Sequence, residues 1–393
     1  MRTELQPRRI ESKKDAEAFL LGLALLSTGG GGTPERGRIY LYELLDEGLV
    51  IEWQSIDSLA PEALTCSVFG MGSVAPHEQL DEVTRTNLGF RGEQVSRPGV
   101  RAVGELEALL GRAVDGIVPF ELGGFNTIVA VDAALRLSLP LVDGDYVGRA
   151  LPEMSQALPA ALGFQPHPLA ICDHWGNSLL LKDCPSAAVA EMLGKMISVV
   201  TKTPDMFATC AHAAFALAAR DATTAVVRDS LTRALGVGRR IQEARETEED
   251  PVAAAARALE GVRLFDGTVR HIDWVDGAGY MEGTTFIDGQ GAFAGETARV
   301  WFRNENHVLW RDDDVYATSP DLISIVTRDD STPTTNTRLK VGDQVSVLGA
   351  PCDPRYTKPG VLELTEPRHY GIDASYVPLR EATPSPADSG ARR

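Results

Sequence analysis

Apolar residues recur at helical spacing from 13 to 26, behind Ser12 and Asp15, which form a capping-box-like start. That helix stops at Gly29, Gly30, Gly31 and Gly32, and Thr33-Pro34 opens a second one through Leu45. Short apolar runs at 65–70, 116–121 and 140–143 read as buried strands, separated by helical patterns at 103–113 and 125–137. Alternation of this kind predicts βαβ units and a mainly parallel sheet. Residues 169–173 and 178–182 flank Trp175-Gly176-Asn177 as a hairpin. Helices are predicted at 186–196, 204–219 and 224–245, and Asp250-Pro251 opens one more that ends near Gly261. The texture then changes to period-two patterns such as Ala298-Arg299-Val300-Trp301-Phe302, with another strand at 345–348. The expected architecture is an α/β N-terminal part (1–261) with a mainly parallel sheet and a β-rich C-terminal domain (262–379). A tail (380–393) of Pro, Ser, Ala and charged residues is expected to be disordered.

Composition narrows the function classes. The 393 residues are 44% hydrophobic and 24% charged, ordinary for a globular chain. A net charge of −17 repels phosphate backbones and anionic lipid, so neither nucleic acid nor membrane is an expected partner. The 5 cysteines (Cys66, Cys172, Cys184, Cys210 and Cys352) contain no C-x-x-C pair, which fits a reduced, cytoplasmic setting. Basic residues precede the first apolar stretch, but Asp15, Glu17 and the glycine run make it a folded helix rather than a signal peptide. No run reaches the roughly 18 apolar residues that span a bilayer.

In open α/β sheets, ligands bind at the carboxyl ends of strands. One such end here carries Glu121, Gly123-Gly124 and Asn126; the next carries Asp143, Asp145, Arg149 and Glu153. If the strands are neighbours, Glu121 and Asp143 share a crevice, and crowded carboxylates suit acid–base or metal chemistry. Otherwise the aspartates shape a turn and Arg149 pairs with Glu153. The glycine run 29–32 offers backbone N–H groups to a ligand, or is only a tight turn between helices. Gly70-Met71-Gly72 leads to His77 and Glu78, and Arg303-Asn304-Glu305-Asn306-His307 sets a polar group inside an apolar strand, as an interdomain site or an exposed face. Cys172 and His174, two apart on a predicted strand, could hold one metal, though a buried cysteine is more often simple packing. Neither a G-x-S-x-G elbow nor a dinucleotide-binding glycine motif is present.

The order of these motifs, followed by Pro320-Asp321-Leu322-Ile323 and Pro367-Arg368-His369-Tyr370-Gly371, resembles the S-methyl-thiohydantoin desulfurase family over 12–379. The resemblance implies zinc-dependent hydrolysis in which water replaces a methylthio group on a five-membered hydantoin-type ring. Glu366, Ile372 and Gln79 depart from the usual pattern, which points to a changed substrate. The expected mechanism has Asp143 and Asp145 as metal ligands or base with Glu121 in support. Arg149 or Arg368 would hold an anionic substituent, the glycine run would steady developing charge, and Asn126, Asn304 and Glu305 would complete the binding site. Zinc or another divalent metal is the expected cofactor, and Asp143→Asn is expected to abolish turnover. A ring-opening cyclic amidohydrolase and a non-catalytic hydantoin-binding subunit of a hydantoinase system are the competing readings. A homo-oligomer is compatible with all of them.

Overall fold

Ser12 caps the first helix, α1 (Lys13–Leu26), by accepting a hydrogen bond from the Asp15 amide. The computed structural model describes residues 8–76, 80–90, 95–201, 211–277 and 279–379. His77, Glu78, Gln79, Cys210 and the tail 380–393 lie outside them. Pro34 starts α2 (Pro34–Asp46) in the first turn, where a missing N–H costs nothing. Further helices are α3 (Pro98–Leu110), α4 (Asn126–Arg136), α5 (Ala187–Thr201), α6 (Ser230–Arg245) and α7 (Pro251–Ala258). Two glycines let α1 and α6 cross in backbone contact: a Cβ on Gly238 would lie 1.6 Å from the Ala18 carbonyl oxygen, and one on Gly22 1.8 Å from that of Ala234.

The N-terminal strands are β1 (Leu64–Met71), β2 (Gly116–Ile117), β3 (Leu169–Cys172), β4 (Ser178–Leu181) and β5 (Ala211–Ala218). They form one sheet in the order β2-β1-β5-β3-β4. The expected mainly parallel sheet is corrected here. Only β1 and β2 pair in parallel, with single parallel bridges extending from Ile117 to Leu141 and from Gln54 to Val142. The rest is antiparallel because β5, read from sequence as a helix, is a strand between β1 and β3. Ala-His-Ala-Ala-Phe-Ala-Leu-Ala has helical propensity, but two waiting strand edges and the packing of α3 and α5 against it override that preference. The predicted helix 224–245 is also interrupted: Val227–Arg228 pairs with Gly144–Asp145, and Asp229 turns the chain at φ 58° before α6.

The C-terminal strands are β6 (Val262–Gly277), β7 (Tyr280–Gly289), β8 (Thr297–Arg303), β9 (Glu305–Arg311), β10 (Asp314–Thr318), β11 (Leu322–Thr327) and β12 (Gln344–Ala350). They make a seven-stranded antiparallel half-barrel in the order β10-β9-β8-β7-β6-β12-β11. Its inner face holds a core of residues such as Phe265, Val300, Leu309 and Val347. Leu322, Val326, Leu348 and Ala350 instead join the core of the N-terminal helices, so the two halves share apolar packing.

Arg149 locks the halves together. Its side chain is 1% exposed, and its five N–H groups all find acceptors. Nε donates to the Ala150 carbonyl, Nη1 to those of Pro320 and Asp321, and Nη2 to Thr28 Oγ1 and the Asn306 carbonyl. Beside this clamp, the Asn306 amide donates to the Thr28 carbonyl and the Asn336 amide to that of Gly29. Replacing Arg149 with Lys keeps the charge but leaves at least two buried acceptors unmet. We expect a loss of about 3 kcal/mol or more in urea unfolding; a loss under about 1 kcal/mol would show that the clamp matters little.

Candidate active site

Where the two halves meet, a cavity of about 700 Å³, its open mouth included, is lined from both sides. One wall is apolar: Phe69 and Phe120 stack at 4.1 Å, with Leu151 and Met154 nearby. The other wall is acidic and carries Glu121 from the N-terminal half and Glu305 from the C-terminal half.

Local structure explains why those two acids are there. Glu121 follows the short strand β2, and its two oxygens accept from Asn126 Nδ2 at 2.6 Å and the Leu151 amide at 2.9 Å. Asn126 is held in turn by its Oδ1, which accepts from the Gly70 amide. Glu305 starts β9 after Asn304, a single left-handed residue (φ 58°) whose side chain accepts from the Met281 amide. Glu305 Oε1 accepts from the Gly31 amide at 3.2 Å. Its Oε2 is buried and has no hydrogen-bond partner among the described residues. Burial raises both carboxyl pKa values above the ordinary glutamate range, and the Glu305 charge raises Glu121 further. The Arg149 and Lys195 charges pull Glu305 part of the way back. Burial and mutual repulsion therefore both work against ionising the two acids together.

The glycine run is explained mainly by close approach. A Cβ on Gly30 would lie 1.9 Å from Glu305 Oε1, one on Gly31 2.6 Å from Gly123 Cα, and one on Gly32 2.6 Å from Phe125 Cβ. Gly31 and Gly32 line the main cavity, while Gly29 and Gly30 face a smaller one of about 210 Å³ beside Thr335 and Thr337.

Other sequence candidates lie elsewhere. Asp143 does not join Glu121 at the cavity: it accepts from the Thr232 amide and hydroxyl near the start of α6, with Arg8 Nε at 3.4 Å. Asp145 Oδ1 fixes its own turn by accepting from the amides of Val147 and Gly148. Burial raises both aspartates' pKa values, that of Asp145 to about 7, without bringing either to the cavity. Arg149 has no N–H left for a ligand. Arg368 is exposed on the turn 367–370. Glu153, unlike these, does line the cavity, but it pairs with His369 at 2.9 Å and Arg303 at 3.4 Å rather than with Arg149.

The two pairs proposed as metal ligands, Asp143 with Asp145 and Cys172 with His174, are engaged elsewhere. Asp143 and Asp145 are held as just described, and the Cys172 thiol sits 3.4 Å from Ser178 Oγ. His174 Nε2 accepts from the Arg36 guanidinium at 2.8 Å, which occupies its lone pair with a cation. Among the described residues no three His, Cys, Asp or Glu side chains are grouped to hold a metal.

Two cavity groups escaped the sequence reading. Arg36 lies on the Phe125 ring at 4.3 Å, and Lys195 is 4% exposed on α5. Glu191 and Lys195 are a charged i, i+4 pair within the apolar helix Ala-Ala-Val-Ala-Glu-Met-Leu-Gly-Lys-Met, which is the signal that could have found them.

The fold and the cavity between its halves define a two-domain protein, and the chain belongs to the S-Me-THD-like family: the family's N-terminal domain matches residues 14–183 and its C-terminal domain 190–379. The chain is also similar in fold to a crystal structure of a protein from Chromobacterium violaceum. That match has 22% identity and a TM-score of 0.71, and it covers 94% of this chain and 99% of the other. No curated protein matches. Among the described residues no helix is long and apolar enough to cross a membrane.

The raised pKa of Glu305 has a sign that can be measured. The native state prefers its protonated form, so this stabilisation is complete below the ordinary value of 4.5 and is lost as pH rises through the raised one. Glu305→Gln, always neutral, should melt close to the wild type near pH 4 and clearly above it near pH 8. A gap independent of pH would mean an ordinary carboxylate.

Proposed function

We propose that the chain is a hydrolase that replaces an alkylthio group on a hydantoin-like five-membered ring with water. Family membership supplies the reaction class, and one observation supports the catalytic assignment: a buried carboxylate, Glu305, presents an unpartnered oxygen at the cavity between the halves. A general base works best with its pKa near the working pH and its lone pair within reach of the proton it removes. Both conditions favour Glu305 over Asp143, whose oxygens are already engaged.

In this reading the ring lies against Phe69 and Phe120, and its C=N carbon faces Glu305. Ionised Glu305 takes a proton from water as the oxygen adds to that carbon. Glu121, held by Asn126 and the Leu151 amide, keeps its own proton and so leaves Glu305 as the ionised member of the pair. If zinc takes part, it would supply Lewis-acid activation of water. The residues placed here do not identify its ligands, and the roles assigned to Glu305 and Glu121 stand on their own geometry. The proposed setting is the cytoplasm.

The test is thiol release from an S-methyl-thiohydantoin, followed with a thiol reagent. Glu305→Gln should lower kcat by about 10²–10⁴-fold, whereas Asp143→Asn should retain most of it. Formation of a carboxylate without thiol would favour ring opening, and binding without turnover a binding subunit. Loss on Asp143→Asn with Glu305→Gln unaffected would overturn the assignment.

A further inference from the structure

We propose that Lys195 is a second catalytic residue, whose ammonium gives a proton to the departing sulfur as the carbon–sulfur bond breaks. The proposal rests on the alkylthio-displacement reading above and adds the group that reading lacks, an acid for the leaving thiolate.

Three features of the site converge on it. Lys195 and Glu305 line the same cavity but come from different elements, α5 and β9. A base and an acid can therefore reach one ring from separate directions. Second, the ammonium is fixed. Nζ lies 2.9 Å from Glu191 Oε1, 3.0 Å from the Pro152 carbonyl and 3.2 Å from the centre of the Tyr280 ring. Glu191 is itself pinned by the Met154 amide. An ammonium has three N–H groups, and among the described residues no third oxygen or nitrogen takes one. The remaining N–H is held only by the ring face or turned to a ligand. Third, the position is expensive for a structural lysine. A buried ammonium loses hydration and rotamer freedom, and the turns of α5 around it are otherwise apolar on both sides, with Met192 and Met196 exposed to solvent. Burial also lowers the Lys195 pKa while it raises that of Glu305, which narrows the gap between acid and base.

The step balances without a further reactant. Glu305 takes one proton from water, the water oxygen bonds to the ring carbon, and the C=N electron pair moves to nitrogen. That nitrogen then takes the proton from Glu305. The carbon–sulfur pair leaves on sulfur, which takes a proton from Lys195. The hydroxyl proton left on carbon returns to Lys195 as the carbonyl forms, so both residues end as they began.

The experiment uses the full chain and a series of S-substituted thiohydantoins whose leaving thiols range from methyl to nitrophenyl. Removing Lys195 alone would strand the Glu191 charge, so the variant is Lys195→Met with Glu191→Gln, and Lys195→Arg serves as a second that keeps the charge. Acid help matters most for a basic leaving group. Both variants should therefore lose about 10²-fold in kcat/KM with methylthio and progressively less toward nitrophenylthio, steepening the leaving-group dependence. An equal loss across the series in the Arg variant would assign Lys195 a structural role and overturn the proposal, leaving the reaction intact. Absence of thiol release by the wild-type chain would instead overturn the reaction itself, before any variant is measured.

Discussion

A guanidinium with no carboxylate on it holds this structure together. Burying a charge costs several kcal/mol unless hydrogen bonds replace its water, and Arg149 replaces that water with four carbonyls and one hydroxyl. Apart from the neighbouring Ala150 carbonyl, those acceptors come from just past α1, the start of β9 and the turn before β11. They satisfy the side chain only when the two halves sit in one arrangement. The glycine run then has a fixed seat: Gly30 and Gly31 lie against Glu305, and Gly31 and Gly32 against Gly123 and Phe125. The position of Glu305 follows from the clamp, as does part of its electrostatics, since the Arg149 charge is the largest opposing effect on its burial.

The cavity can then be understood as a charge problem with one incomplete solution. Glu153 is neutralised by His369 and Arg303, and Glu191 by Lys195. The effect on Glu153 is measurable in its direction: burial pushes its pKa up, but the His369 hydrogen bond and charge outweigh it and leave it below the ordinary range. Glu121 and Glu305 have no cation on their oxygens. Their charge can be relieved by a shared proton or by something that enters the cavity, and this is the property a catalytic acid–base pair needs.

Much of the scaffold was legible in the sequence. The Ser12 cap, the Pro34 start, the hairpin around Gly176 and the Asp250 cap are local, and local chemistry fixes them. The strand Ala211–Ala218 was not legible, because a run of apolar residues broken only by His212 carries no period that separates helix from strand; partners distant in sequence decide it. The site divided in the same way. Gly31, Gly32, Glu121, Asn126, Asn304 and Glu305 all line the cavity. Lys195 and Arg36 were missed because nothing near them in sequence distinguishes a buried charge from a solvated one. The spacing of Glu191 and Lys195 offered a clue only on a helix whose other residues are apolar.

The aspartates show why burial and proximity to a strand end are poor guides taken alone. Asp145 is as deeply buried as Glu305, and burial raises its pKa to about 7. What separates them is where their oxygens go. Asp145 receives two amides of its own turn on one oxygen, and Asp143 an amide and a hydroxyl of α6, far along the chain, on its two; neither faces the cavity. Glu305 takes one amide from the opposite half and leaves its other oxygen unpartnered at the cavity. A buried lone pair without a donor costs about 1–3 kcal/mol, a cost that a ligand or a proton can remove. Asp145 Oδ2 is also buried without a partner among the described residues, but it lies away from the cavity, so its perturbed pKa reflects folding. At Glu305 the same perturbation comes with an open position for a reacting atom.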